Sequence, residues 1–343
     1  MSTIQTNRIQ HSTGTGNNII LSADGNTQLS SLNGSGVTNL MRNPAFRFWE
    51  RGSGPKAVAP GTVNSFLADG WTVRGTAGTG GSATQQLVTD GNVNKHRYIT
   101  SGLTGQSFLR QFLEAGDLWP YSGTQMCVSV YANYQPRAII ATYDRSDDNS
   151  IILDESMTQI GTTNRYYATF VIPAATNLGV NAVSKGLGVY LYYPGDPVAN
   201  GTYDSWNAQL EPGNYPMPFT PPNLPDDFIR CQRYFLKGLF CSSIAYTASV
   251  TMNNMSLPVA MRATPEIYAA SVGASDIVYA TNNGTFTQAN LGNQLTNISL
   301  YSGNSVLYCT TSFDSTSWTS GAPTIGDAVF VNGSSFNIDA ELQ

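Results

Sequence analysis

The sequence predicts an all-β chain in four parts: an extended N-terminal arm (1–39), an antiparallel jelly-roll sandwich (40–224), a linker helix (225–238) and a second, smaller β-sandwich (239–343). Three observations predict it. Short runs of β-branched and aromatic residues recur between Gly, Pro and Asn, at the spacing of a sandwich. Helical periodicity is almost absent. A stretch with six prolines in fifteen residues, 211–225, breaks the β pattern in two.

The arm is short of apolar groups. Ile4, Ile9, Ile19, Ile20 and Leu21 are separated by Thr, Asn, Gly and Ser, too few to bury the surface that independent folding requires. It is either a disordered tail or a segment ordered by identical copies or a larger assembly. Asp24-Gly25-Asn26 reads as a hairpin turn between Ile19–Leu21 and Thr27–Leu29.

From 40 onward the chain reads as strand after strand: Val128–Ala132, Tyr166–Ile172 stopped by Pro173, and Leu187–Tyr193 stopped by Pro194-Gly195. Residues 75–81 and 144–149 read as loops. The proline stretch reads as a stiff, extended connector. A helix follows it, with Asp226 or Asp227 as cap, Phe228, Ile229, Cys231 and Phe235 as its apolar side, and Gly238 as its end. The β pattern then resumes at Leu257–Arg262, Ile267-Tyr268, Val306–Cys309 and Ala328–Val331.

Charge is scarce. Among 343 residues, 17 are Lys or Arg, 22 are Asp or Glu and 2 are His, so charged residues make up 11%, against about 25% in an ordinary soluble domain. No Lys/Arg cluster gives the footprint of a nucleic-acid binder. No apolar run reaches the roughly 18 residues of a membrane span, so no membrane insertion is expected. Aromatics at 11% supply core material that a disordered chain lacks. Met1–Thr6 has neither a basic start nor an apolar run, so it does not read as a secretory signal. Cys127, Cys231, Cys241 and Cys309 are widely spaced and read as buried thiols.

No catalytic signature is found, and the chain reads as a non-enzyme that needs no cofactor. There is no G-x-S-x-G elbow, and the only imidazoles are His11, in the arm, and His96, between Lys95 and Arg97 on a predicted surface loop. Gly75–Gly81 lacks the ending of a phosphate loop. Asp144, Asp147, Asp148, Asp154 and Glu155 crowd a turn-like stretch that reads as a hairpin tip. Its alternatives are a calcium loop over Asp144–Asp148 and a glycosidase pair. Aromatic and neutral polar surface remains, which suits sugars: aromatic faces pack on the apolar side of a pyranose, and amides and hydroxyls supply hydrogen bonds. Trp119, Tyr121, Tyr192, Tyr193 and Trp318 lie in or beside predicted turns and are the candidate carbohydrate contacts.

Several phrases in order resemble a known family. Asn39–Gly52, followed by Ala68-Asp69-Gly70-Trp71, resembles the opening of a jelly-roll module of bacteriophage fibre proteins, itself similar to galactose-binding-like carbohydrate-binding modules. Trp206–Gly213 resembles the module's closing phrase. Phe228–Phe235 is similar to the helix that follows it, and Leu257–Pro265 to the start of a C-terminal β domain. Ile9–Gly14 also resembles phage virion proteins. The resemblance implies a virion protein, of tail fibre or head decoration, that is a homotrimer, meets capsid or tail through residues 1–39 and adheres to host surface polysaccharide. It carries no ligand-binding residues over. The alternatives are a polysaccharide depolymerase, although no repeat of 20 to 30 residues marks a long β-helix, and a free-standing carbohydrate-binding protein.

Overall fold

The computed structural model describes residues 39–58, 65–75, 81–143, 149–179, 182 and 184–237, and outside these the short strands named below with 258, 259 and 261. In the arm, β1 (Arg8–Gln10), β2 (Asn17–Leu21) and β3 (Thr27–Leu29) pair antiparallel in that order. The arm therefore carries a small sheet of its own, and Leu21 faces Thr27 across the predicted hairpin.

The central strands are β4 (Lys56–Ala57), β5 (Ser65–Phe66), β6 (Thr72–Gly75), β7 (Ser82–Asp90), β8 (Val93–Ser101), β9 (Ser107–Glu114), β10 (Gln125–Ala132), β11 (Arg137–Tyr143), β12 (Asn149–Ser156), β13 (Thr158–Gln159), β14 (Arg165–Val171), β15 (Lys185–Tyr192) and β16 (Gly201–Pro212). Among the described residues they form two antiparallel sheets, ordered β13-β14-β10-β16-β8-β7-β4 and β12-β11-β15-β9-β6-β5. This is the predicted sandwich. Alternation makes it: Val128, Val130 and Ala132 of β10, Ala168 and Phe170 of β14, Leu187, Val189 and Leu191 of β15, and Ala138 and Ile140 of β11 all enter one core. Each large aliphatic group buried there contributes about 1.5–3 kcal/mol. A one-residue slip would expose a whole set, so the core fixes the register.

The opening phrase forms the floor of this core. Asn43 is fully buried in the left-handed region, with φ 46°. Its amide donates to the carbonyls of Phe48 and Asp69, and its Oδ1 accepts from the N–H groups of Arg47 and Phe48. Its own carbonyl accepts from the Trp71 indole at 3.1 Å. Trp71 is 1% exposed and lies 5.1 Å from the Phe46 ring.

The proline stretch is not a free connector. Gly213 N–H donates to the Gln125 carbonyl, Met217 N–H to Glu211 Oε1, and Arg47 to the Pro222 carbonyl, while Tyr215 meets Tyr167 edge-on. It is a strap tied to the seven-stranded sheet. The helix, α2 (Leu224–Gln232), starts earlier than predicted. Asn223 is its N-cap, and Pro225 sits in its first turn, where a missing N–H costs nothing. Asp227 turns away from the helix end and accepts the Asn43 N–H. Arg230 donates to the carbonyls of Asn39, Leu40 and Met41. Arg42 lies over the Tyr234 ring at 3.7 Å, and the Tyr234 hydroxyl donates to Glu114. Tertiary hydrogen bonds thus staple the helix to the sandwich. Cys231 is buried, but Ile229, placed on the apolar side by its spacing, is 47% exposed. Gly238 lies outside the described residues; the helix ends before Arg233, and β17 (Phe235–Lys237) begins almost at once.

Beyond it come β18 (Cys241–Thr247), β19 (Val250–Ser256), β20 (Glu266–Ala269), β21 (Ile277–Ala280), β22 (Phe286–Gln288), β23 (Asn297–Tyr301), β24 (Val306–Ser312), β25 (Ala328–Val331) and β26 (Phe336–Asp339). They pair as β22-β21-β25-β18-β19-β24-β23 and, with β17, as β17-β26-β20. The predicted strand at Leu257–Arg262 falls between β19 and β20 instead, with Pro258 and Val259 in a bend.

Candidate functional site

Strand β9 is buried on both faces. Leu109 and Leu113 point into the sandwich core, so Phe108, Arg110 and Phe112 point out of the six-stranded sheet. Pairing extends them into rows. One row runs Arg74, Phe108, Tyr192, Arg137; the next runs Thr72, Arg110, Tyr190, Ile139, Asp154; a third runs Phe112, Gly188, Ala141. In-register pairing places these groups about 5 Å apart across the sheet.

The result is an aromatic field threaded by guanidinium groups. Phe108 lies 5.2 Å from Tyr190 and 4.8 Å from Tyr192. The Arg110 guanidinium is 4.5 Å from the Phe112 ring and 5.7 Å from Tyr190. Phe108, Arg110, Phe112 and Tyr190 are each 6% exposed or less, with Tyr234 of the chain after α2 packed among them. The border towards β11 and β12 is open. Arg137 grips Asp154 through two 2.6 Å bonds, with side chains 43% and 33% exposed, and sits 5.7 Å from the half-buried Tyr192 ring. Asp196 adds a nearby acceptor, itself held by Gln106 at 2.7 Å.

The electrostatics favour fixed protonation states. Hydrogen bonding to Asp154 raises Arg137 further, against some desolvation, with Asp154 and Asp196 adding attraction. Burial pushes the Tyr190 phenol up, opposed by Arg110, and burial likewise raises Tyr192. The face therefore offers rings, neutral hydroxyls and a guanidinium held in its charged form.

The structure separates the five predicted carbohydrate contacts. Tyr192 stands on this border. Tyr193, the next residue on the chain, points the opposite way: it is 2% exposed and stacks on Tyr98 at 4.4 Å, with Tyr134 and Tyr203 beside it. Burial pushes its phenol well up, and it is core rather than a sugar contact, because successive strand residues face opposite sides. Trp119 and Tyr121 form a turn after α1 (Ala115–Leu118), beyond the far end of β9. Trp318 and the Asp144–Asp148 loop lie outside the described residues, although β11 and β12 on either side of that loop pair as a hairpin. Asp154 is engaged by Arg137, and Glu155 faces Ala138 across the same hairpin.

His96 is also a correction. It is on β8, fully buried, packed near Phe46 and Trp49. Gln85 donates its amide to Ser65, leaving Oε1 to accept from His96 Nε2 at 3.2 Å. Nδ1 has no partner among the described residues, and desolvation lowers the imidazole pKa to about 3.

Sequence reasoning missed Phe108, Arg110, Phe112, Tyr190 and Arg137, and it weighed Asp154 only as one of a carboxylate cluster. The available signal was the two-residue period in Phe108-Leu109-Arg110-Gln111-Phe112-Leu113 and in Tyr190-Leu191-Tyr192.

No family model matches the chain, and no curated protein matches it. Solved structures show partial likeness. The enzymatically active domain of tailspike protein 4 of bacteriophage CBA120 is 13% identical over 42% of this chain, at a TM-score of 0.30, and the match spans only 19% of that chain. A putative sugar binding protein from Bacteroides thetaiotaomicron is 10% identical, over 51% of this chain and 100% of its own, at 0.32. The family 11 carbohydrate-binding module of a cellulosomal cellulase of Clostridium thermocellum is 14% identical, over 47% and 96%, at 0.28. Similarities of this size fix neither a ligand nor a site.

Proposed function

We propose that this chain is a phage virion protein whose sandwich adheres to host surface glycans through the open border of the six-stranded sheet. The observation that carries the glycan reading is the row of Phe108, Tyr192 and Arg137, with its half-exposed ring beside a two-bonded arginine–aspartate fork. A pyranose places its apolar face on such a ring and its hydroxyls on the fork. The virion reading is supported by the ordered phrases from Asn39 to Pro265 and by the scarcity of charge. In this reading residues 1–39 attach the chain to capsid or tail.

Binding is to be measured on a panel of purified bacterial capsule and O-antigen polysaccharides. Tyr192→Ala is expected to weaken binding about tenfold, the worth of one stacked ring of about 1–1.5 kcal/mol. Because Arg137, Tyr190 and Tyr192 are all raised from their ordinary values, affinity is expected to stay flat from pH 5.5 to 8.5. A protein that binds none of the panel would remove the reading, and release of reducing ends would replace it with a depolymerase.

A homotrimer belongs to the same proposal. Light scattering is expected to return three times the chain mass of 36.8 kDa; a monomer at micromolar concentration overturns it.

A further inference from the structure

We infer that the Trp119 turn is a second glycan contact, separate from the sheet face, and that the sandwich grips a long polysaccharide at two points. The inference rests on the glycan-binding reading above. Trp119 is 37% exposed, whereas Trp49 and Trp71 are 9% and 1% exposed. Its indole has neither a ring partner nor a hydrogen-bond partner among the described residues. The exposed part of the indole is apolar surface that a ligand can still cover.

The turn beneath it is rigid. Ala115 and Leu118 of α1 are fully buried, and strand β15 passes so close that a Cβ on Gly186 would stand 2.7 Å from the Ala115 Cα. Gly116 N–H donates to the Ala182 carbonyl, Ser122 Oγ to Pro173, and Gly123 N–H to Ile172. Pro120 follows the indole directly. A turn whose backbone is held this firmly loses little freedom on binding. The chemistry is that of a neutral sugar: a flat apolar surface with one N–H at its edge. Residues 119–124 and 173–177 carry no charged side chain, and Thr176 and Asn177 supply exposed hydroxyl and amide groups on the segment tied to the turn.

The two contacts are too far apart for one sugar. The turn lies beyond the Glu114–Lys185 end of the β9–β15 pair and Tyr192 lies at the other. Seven strand steps separate Lys185 from Tyr192, about 23 Å at 3.3 Å each. A polymer that reaches both converts its second contact into an intramolecular one, which raises avidity by about 10²–10⁴. A short oligosaccharide gains nothing.

The test uses the full chain, the same polysaccharide panel and size-fractionated oligosaccharides of whichever polymer binds. Trp119→Ala is expected to weaken polymer binding about 100-fold and to leave oligosaccharide binding at Tyr192 within twofold. Trp119→Phe is expected to retain most of the polymer affinity, and thermal midpoints of both variants to match the parent. If Trp119→Ala leaves polymer affinity intact while Tyr192→Ala weakens it, the second contact is overturned and the sheet-face reading stands. If the unsubstituted chain binds no glycan, both fall together.

Discussion

Replacing Asn43 with Ala is expected to destabilise the sandwich by about 4 kcal/mol or more, through the loss of four hydrogen bonds worth about 1 kcal/mol each and the burial of groups left unpaired. The N–H groups of Arg47 and Phe48 lose their acceptor, and the carbonyls of Phe48 and Asp69 lose one donor each. Alanine also tolerates φ 46° less well than asparagine does. For a unit of this size that corresponds to a fall of roughly 10–15 °C in the thermal midpoint. Asn43→Gly separates the two causes, since glycine accepts the backbone angle but restores none of the bonds. It is expected to recover about 1 kcal/mol, no more. An alanine variant melting within 3 °C of the parent would contradict the role of Asn43 as the hub of the floor.

Acidification is expected to unfold the sandwich through His96. Its pKa is lowered from 6.5 to about 3 in the fold, so between these values the unfolded chain binds a proton that the folded chain refuses. Stability from this residue is complete above pH 6.5 and drains away as pH falls towards 3. Between pH 7 and pH 4 the loss is about 3 kcal/mol, at 1.36 kcal/mol for each pH unit. Burial pushes the Glu211 and Asp227 carboxyls up, which acts in the opposite sense. The comparison is therefore between the parent and His96→Gln, by urea unfolding at both pH values. The variant is expected to lose markedly less stability on acidification. Equal losses in the two proteins would show that the buried imidazole is not the acid-sensitive group.

His96 also shows where the sequence stops being informative. Its flanking Lys95 and Arg97 suggest surface, and they do reach outwards: Arg97 forks Asp204 at 2.7 Å. The alternation of a strand then sends the residue between them inwards. Burial of a polar group depends on a partner on another strand, here Gln85 of β7, and the residues flanking His96 do not announce it. The sandwich itself was legible because its core positions recur with period two, as in Val128, Val130 and Ala132. Tyr192 and Tyr193 read alike for a related reason: two adjacent tyrosines give no indication of which one faces out. The strap misled in the same way. Prolines promise stiffness, but Met217 and Pro222 are held by Glu211 and Arg47, bonds that only the folded sheet brings together.

The staple between the start of the sandwich and α2 determines how the molecule bears tension. Arg230 holds the carbonyls of residues 39–41, Asp227 holds the Asn43 amide, and Arg42 meets Tyr234. The segment that leaves the arm and the segment that enters the C-terminal strands are thus bonded directly to each other. A pull between these two segments loads this small junction together with its ties to β9 and β16.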